Sequence, residues 1–135
     1  MKKGVKQTFK KNERLCSTRL IREIFEKGAV LNTSLFRIFW IKASGLPSPA
    51  QVAVSVPKKV FKHAVTRNLI KRRIREAYRL RKDGLYNFLV DHNLQIAFIV
   101  VYRQNYVPGF GSVENGVAEV IARLSNRLSE EGRQC

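Results

Sequence analysis

The stretch QVAVSVPKKVFKHAVTRNLIKRRIREAYRLRK, residues 51–82, decides how this chain folds. Its first six residues alternate, with Val52, Val54 and Val56 on one side, which is the period of a half-buried β-strand. Pro57 ends that strand, because proline cannot donate to a hydrogen-bond ladder. Beyond it the period changes. Ile70, Ile74 and Ala77, with Tyr78 at the margin, fall within about 40° of one line on a helical wheel. This predicts a helix over residues 62–82 that docks on a sheet through a narrow apolar stripe.

The flanking sequence supplies the partners of that unit. Upstream, Leu20, Ile21, Ile24 and Phe25 recur at helical spacing, with Ser17 as N-cap and Gly28 as C-terminal stop, so residues 17–27 read as a short helix. Phe36 to Lys42 is rich in β-branched and aromatic residues and reads as a strand, followed by the turn Gly45-Leu46-Pro47-Ser48-Pro49. Downstream, Leu94 to Tyr102 is apolar at both parities, as in a strand covered on two sides. After the loop Pro108-Gly109-Phe110-Gly111, Ser112 is the expected cap of a last helix, with Glu114 in its first turn and Gly132 past its end. Its buried stripe is Val113, Val117, Val120, Ile121, Leu124 and Leu128. The expected fold class is α+β: a small, mainly antiparallel sheet of about four strands packed with three helices, in the order α-β-β-(β)-α-β-α.

At 135 residues and 44% hydrophobic content the chain is expected to form one globular domain. Residues 1–11 are expected to be a flexible basic arm and residues 131–135 a flexible tail. The longest apolar run, Ile96 to Tyr102, is far short of the roughly 20 residues of a bilayer span. No apolar stretch follows the basic N-terminus as it would in a secretory signal. Two cysteines, Cys16 and Cys135, make no disulfide framework and suit a reducing cytoplasm.

Charge then narrows the function. There are 26 Lys and Arg against 10 Asp and Glu, a net +16. Residues 1–82 hold 22 of those cations and four acids, whereas residues 83–135 hold four cations and six acids. The density peaks between Lys58 and Lys82, with 11 cations and one acid, Glu76. Clustering of one sign marks a polyanion partner. A membrane-surface helix needs a broad apolar face with Trp, Phe and Leu, and this segment has only the narrow stripe that the core uses. Nucleic acid is therefore favoured over a membrane.

On the wheel, Arg67, Lys71, Arg75 and Arg79 step by four, and Asn68, Arg72 and Lys82 fill the same arc. Like charges four apart destabilise an isolated helix by a few tenths of a kcal/mol per pair. A phosphate chain supplies the missing counter-charge, with arginine's planar fork matching phosphate oxygens. Beside a protein subunit of a ribonucleoprotein, these features leave open a non-enzymatic ribosomal protein or RNA chaperone, a DNA regulator using residues 62–82 as a major-groove helix, and a self-sufficient nuclease.

Ser55-Val56-Pro57-Lys58-Lys59, followed by Ala64 to Arg79 with its Arg67-Asn68-Leu69-Ile70-Lys71-Arg72 core and Arg75-Glu76, closely resembles the signature of the bacterial ribonuclease P protein subunit. The resemblance extends weakly over the chain, from the Asn12-Glu13-Arg14-Leu15 opening to the late apolar strand. It implies an α+β fold with a left-handed β-α-β crossover. It implies a partner, the catalytic ribonuclease P RNA, contacted by Lys58, Lys59, Arg67, Asn68, Lys71, Arg72, Arg75 and Arg79. It implies a second partner, precursor tRNA, whose single-stranded 5′ leader would lie in a cleft lined by Ile21, Phe25 and either Phe36 or Phe39. Many members have an aromatic where this chain has Ile21, and a glycine in the Phe61-Lys62-His63 region. Some members bind metal ions in a loop, to which the resemblance assigns no residues here.

The implied activity is endonucleolytic removal of the tRNA leader, catalysed by the RNA with Mg²⁺ bound mainly by it. The residues agree that catalysis does not lie in the protein. A protein nuclease needs clustered carboxylates or an acid–base pair. The chain's aspartates, Asp83 and Asp91, are eight residues apart near an expected loop, and His63 and His92 lack partners at ligand spacing. No catalytic residue, obligate protein partner or membrane association is expected, and the location is cytoplasmic.

Overall fold

A computed structural model describes residues 9–133. After a 3₁₀ turn at Lys11–Glu13 come α1 (Thr18–Lys27), β1 (Ala29–Asn32), β2 (Phe36–Ala43), β3 (Ala50–Ser55), α2 (Ala64–Asp91), β4 (Gln95–Tyr102) and α3 (Phe110–Arg133). The sheet runs in the order β1-β2-β4-β3. The β1/β2 and β2/β4 pairings are antiparallel, and the β3/β4 pairing, bridged by α2, is parallel. The sheet is therefore mixed, and the expected α+β architecture of three helices on four strands is what forms.

Alternation assigns the two faces. Phe36, Ile38 and Trp40 of β2, Val52 of β3 and Ile96, Phe98, Val100 and Tyr102 of β4 join the large core, together with Ile70, Ile74, Leu85 and Leu89 of α2 and the α3 stripe. The opposite parity, Phe39, Ile41, Ala97, Ile99 and Val101, packs with Leu15 and with Leu20, Ile21 and Ile24 of α1. β4 is buried on both faces because it lies between β2 and β3 and under helices on either side. All six residues of the expected α3 stripe are buried.

The helix ends show how local chemistry sets boundaries. Ser17 caps α1, its Oγ accepting from the Leu20 N–H at 3.2 Å. Gly28 stops α1, as expected, and the reason for glycine there is steric. Its φ is −71°, and an added Cβ would lie 2.4 Å from the Ile24 carbonyl oxygen and 2.9 Å from that of Trp40. α2 ends in a Schellman motif. Asn93 takes φ 54°, its N–H donates to Val90 O at 3.2 Å, and the Leu94 N–H donates to Leu89 O at 2.8 Å.

Several expectations are corrected. α2 continues nine residues beyond Lys82, through Gly84, so Asp83 and Asp91 lie on the helix and His92 is its C-cap. β1 is a strand that the periodicity did not single out. α3 starts at Phe110, so Ser112 lies within its first turn and Glu114 past it, and it runs to Arg133, which takes in Gly132. Part of the supposed flexible arm is docked: Phe9 packs on the large core, and the Lys10 N–H donates to Glu13 Oε2 at 2.7 Å. Residues 1–8 of that arm, and residues 134–135 with Cys135, lie outside the described residues.

Two glycines give opposite predictions. Gly28→Ala should lower stability by about 1–3 kcal/mol, because two backbone carbonyls must move. Gly84, exposed with nothing within 4 Å of an added Cβ, should respond to Ala with a gain of roughly 0.5–1 kcal/mol. Urea denaturation of the two variants checks both signs.

Candidate nucleic-acid interface

The N-terminal half of α2 presents its cations because its other side is sealed. Ile70 and Ala77 are fully buried and Ile74 and Tyr78 nearly so, as the wheel predicts. Asn68, Arg72 and Arg75 are exposed, and Lys71 is half-buried at the edge of the sheet contact. Lys58 and Lys59 are exposed on the turn between β3 and α2. The structure therefore brings Lys58, Lys59, Asn68, Lys71, Arg72 and Arg75 to the surface around one helix end.

Three predicted cations have partners within the fold. Arg67 Nη1 donates to the carbonyl oxygens of Phe61 at 2.8 Å and Lys62 at 3.0 Å, tying down the loop before α2. His63 gives α2 no side-chain cap, so this arginine orders the segment where the chain departs from the family pattern. Arg79 forms a bidentate pair with Glu76, its Nε donating at 3.1 Å to Oε1. That pairing holds the Glu76 carboxyl below its ordinary value, the hydrogen bond contributing most. Lys82, expected on the cationic arc, is only 1% exposed.

Lys82 is buried because the N-terminal turn covers it. Its Nζ donates to Glu13 Oε1, which also accepts from the Tyr86 hydroxyl at 2.6 Å, and Glu13 Oε2 accepts from the Lys10 N–H at 2.7 Å. Burial pushes the Glu13 carboxyl up, but these hydrogen bonds and the Lys82 charge outweigh it and hold it below its ordinary value of 4.5. Tyr86 and Tyr78 stack on this network with their hydroxyls 3.4 Å apart, and desolvation pushes both phenols far up.

Two residues that the wheel could not supply complete the site. Phe9 and Arg14 line a groove of about 500 Å³ together with Asn68, Arg72, Arg75, Glu76 and Arg79. The Arg14 guanidinium lies 5.4 Å over the Phe9 ring. Burial, and then the Arg14 charge, lower the pKa of Arg75. The only early signal was Arg14's place in the Asn12-to-Leu15 opening.

A second candidate surface lies on the opposite face of the sheet, beside α1. Phe25 is 54% exposed and its ring centroid is 5.0 Å from that of Phe39. Ile21 is half-buried against the same small cluster. Arg37, exposed and two residues from Phe39 on the same side of β2, adds a cation there, its Nε donating to Asn32 Oδ1 at 3.0 Å. Phe36 is excluded from this surface. It has the other parity, is fully buried, and packs against Tyr102 and Gly116 in the large core. Of the two strand phenylalanines expected in a cleft, Phe39 lies on the α1 face and Phe36 lies in the core.

Among the described residues, no group of three or more His, Cys, Asp or Glu side chains comes together as a metal site. Also among them, no helix is long and apolar enough to cross a membrane. His92 stacks on Phe88 at 4.1 Å, and Cys16 is an exposed free thiol.

The family model for ribonuclease P matches residues 9–124. The chain belongs to the ribonuclease P protein family. The ribonuclease P protein component of Porphyromonas gingivalis is 32% identical over 121 residues, 87% of each chain. That of Chlorobium phaeobacteroides is 31% identical over 134 residues, 91% of this chain and 90% of its own. The fold is shared with the solved RNase P proteins of Staphylococcus aureus and Thermotoga maritima, each at a TM-score of 0.65. Identities are 24% and 23%, and the matches cover 84% and 82% of this chain and 94% and 96% of theirs. In this chain an ion pair between Glu13 and Lys82 joins the N-terminal turn to α2.

That pair gives a pH prediction. A depressed folded-state pKa means that, as pH falls, the unfolded chain binds the Glu13 proton first. The pair's contribution is fully present above about pH 4.5 and is lost as pH falls through the folded value. Unfolding free energy measured against pH should fall on the acid side, and Glu13→Gln should flatten that fall. Parallel curves for the two proteins would show that the pair carries no linkage.

Proposed function

We propose that this chain is the protein subunit of a ribonuclease P ribonucleoprotein, binding the catalytic RNA and the 5′ leader of precursor tRNA. The observation that carries this reading is the array of exposed Asn68, Arg72 and Arg75 with half-buried Lys71 on the helix that bears the family signature, with the apolar side of that helix sealed in the core. Lys58 and Lys59 extend the array toward the loop. Neutralising phosphates releases condensed counterions, which supplies affinity and makes it salt-dependent.

In this reading the protein positions and the RNA cuts. Mg²⁺ in this reading is bound mainly by the RNA, where it supplies the hydrolytic chemistry. The protein's part is to lower the electrostatic cost of bringing RNA, leader and substrate together. Phe25 and Phe39 support the leader assignment. They form an aromatic pair at the surface beside Arg37, the combination that suits single-stranded RNA, whose bases stack while its phosphates pair. Mature tRNA lacks the leader, so such a cleft favours precursor over product.

Reconstitution with a bacterial ribonuclease P RNA tests the whole. Added protein should raise 5′ cleavage of precursor tRNA at low Mg²⁺, and no gain would overturn the proposal. Arg72→Ala should weaken RNA binding and flatten its salt slope by about one unit with the fold intact. Phe25→Ala removes a half-exposed ring, so it should reduce the preference for precursor over mature tRNA and leave affinity for the catalytic RNA unchanged. An unchanged preference would remove Phe25 from the leader site.

A further inference from the structure

A buried ion pair is an inefficient way to gain stability. Its desolvation cost is large, and an apolar pair of similar volume often does as well or better. What such a pair can supply is a single seating, because any slip leaves a charge uncompensated. Here Glu13 has three donors, from Lys82, Tyr86 and the Lys10 backbone, and it lies 69 residues from Lys82 in the chain. The neighbouring residue inherits the register. Arg14 forms a parallel bridge with Val52, whose side chain lies on the α2 face of the sheet, whereas Leu15 turns to the α1 face. Arg14 is thereby held on the side where Asn68, Arg72 and Arg75 line the groove. Phe9 braces it from below and is itself set edge-on against Tyr78 at 5.8 Å. In that groove Glu76 is engaged by Arg79.

We propose that Glu13 and Lys82 are positioning residues, whose buried pair seats the N-terminal turn so that Arg14 faces Arg75 across the groove and the two arginines hold one phosphodiester of a bound RNA. The inference rests on the RNA-binding reading above and adds a second wall to it. The α2 face alone is a flat cationic stripe. With the turn docked it becomes a two-sided clamp, in which two guanidinium forks approach one anion from different elements. The repulsion between the arginines is offset when the phosphate enters. Glu13 touches no RNA in this arrangement and acts only through Arg14.

The test is a mutant cycle on the full chain, with a bacterial ribonuclease P RNA as probe across a salt series. Arg14→Ala should weaken binding roughly three- to tenfold and flatten the salt slope by about one unit, the signature of one lost phosphate contact. Glu13→Gln should produce the same two changes while circular dichroism stays that of the folded protein. Adding Arg14→Ala to Glu13→Gln should then change neither quantity further. A second background, Glu13→Gln with Lys82→Met, removes both buried charges and carries the same comparison if the single variant leaves Lys82 uncompensated and unfolds. Arg14→Ala acting equally in wild type and in the Glu13 backgrounds would overturn the positioning role, because a stability defect would not erase the Arg14 effect. Arg14→Ala without effect on a wild type that binds would overturn the clamp. Failure of the wild type to bind the RNA would overturn the RNA reading itself, and the clamp with it.

Discussion

Helix α2 is held against the sheet by one narrow line of side chains, Ile70, Ile74, Ala77, Tyr78, Leu85 and Leu89, each 4% exposed or less. The other features take their positions from that line. It joins two parallel neighbours, β3 and β4, which cannot be linked by a tight turn and need a crossover of this length. It leaves the rest of the helix circumference for charge. A wider apolar face would have hidden Lys71 or Arg72. A narrower one could not hold a helix whose cations repel one another at four-residue spacing.

The fold divides its cations into two groups by what lies nearby. Where carbonyls or carboxylates are at hand, the cation is used internally. Arg67 orders the loop before α2, Arg73 donates to the Pro108 carbonyl before α3, Arg81 reaches Glu114 on α3 at 2.9 Å, and Lys82 anchors the N-terminal turn. Exposed pairs such as Arg81–Glu114 contribute little to stability, generally under about 1 kcal/mol. They do explain why the repulsion along α2 is tolerable. The carboxylate partners come from α2 itself at Glu76, from α3 at Glu114 and from the N-terminal turn at Glu13. Near the β3–α2 turn, Lys58, Lys59, Lys71 and Arg72 have no carboxylate in the salt bridges formed among the described residues. The asymmetry gives the surface one strongly positive end.

Much of this was legible in the sequence, because the relevant signals are local. Period two marked β3, period 3.6 marked α1, α2 and α3, and the Ser17 cap sits where its side chain bonds the third helical N–H. The unreadable parts share one cause, a partner distant in the chain. Lys82 interrupts the apolar line of α2 with a charge. Local reading therefore placed it on the cationic arc and ended the helix there, two residues before a glycine. Only Glu13, far upstream, turns that lysine into a core residue, after which Leu85 and Leu89 resume the line. Phe36 and Phe39 belong to one strand and differ in parity. Which parity faces α1 depends on where α2 and α3 settle, and strand composition does not say. β1 is four residues long and becomes a strand because β2 lies beside it, with Ala29 opposite Trp40 and Asn32 opposite Arg37.

The N-terminal turn shows most clearly how a site can be built from segments that carry no common motif. Its residues are individually ordinary: one acid, one arginine, one phenylalanine. The edge of β3 gives them a place, since an edge strand offers unpaired backbone groups, and the Leu15 N–H takes up the Val52 carbonyl at 3.0 Å. That bond, with Gln51 Nε2 donating to Asn12 O at 3.0 Å, gives the segment a line to follow. The buried carboxylate of Glu13 sets the distance, because Lys82 and Tyr86 meet it at only one position. Edge pairing thus supplies direction and the ion pair supplies register. Their intersection brings Arg14 to the groove that α2 leaves open, so the surface there is a product of two chain segments and not of the helix alone.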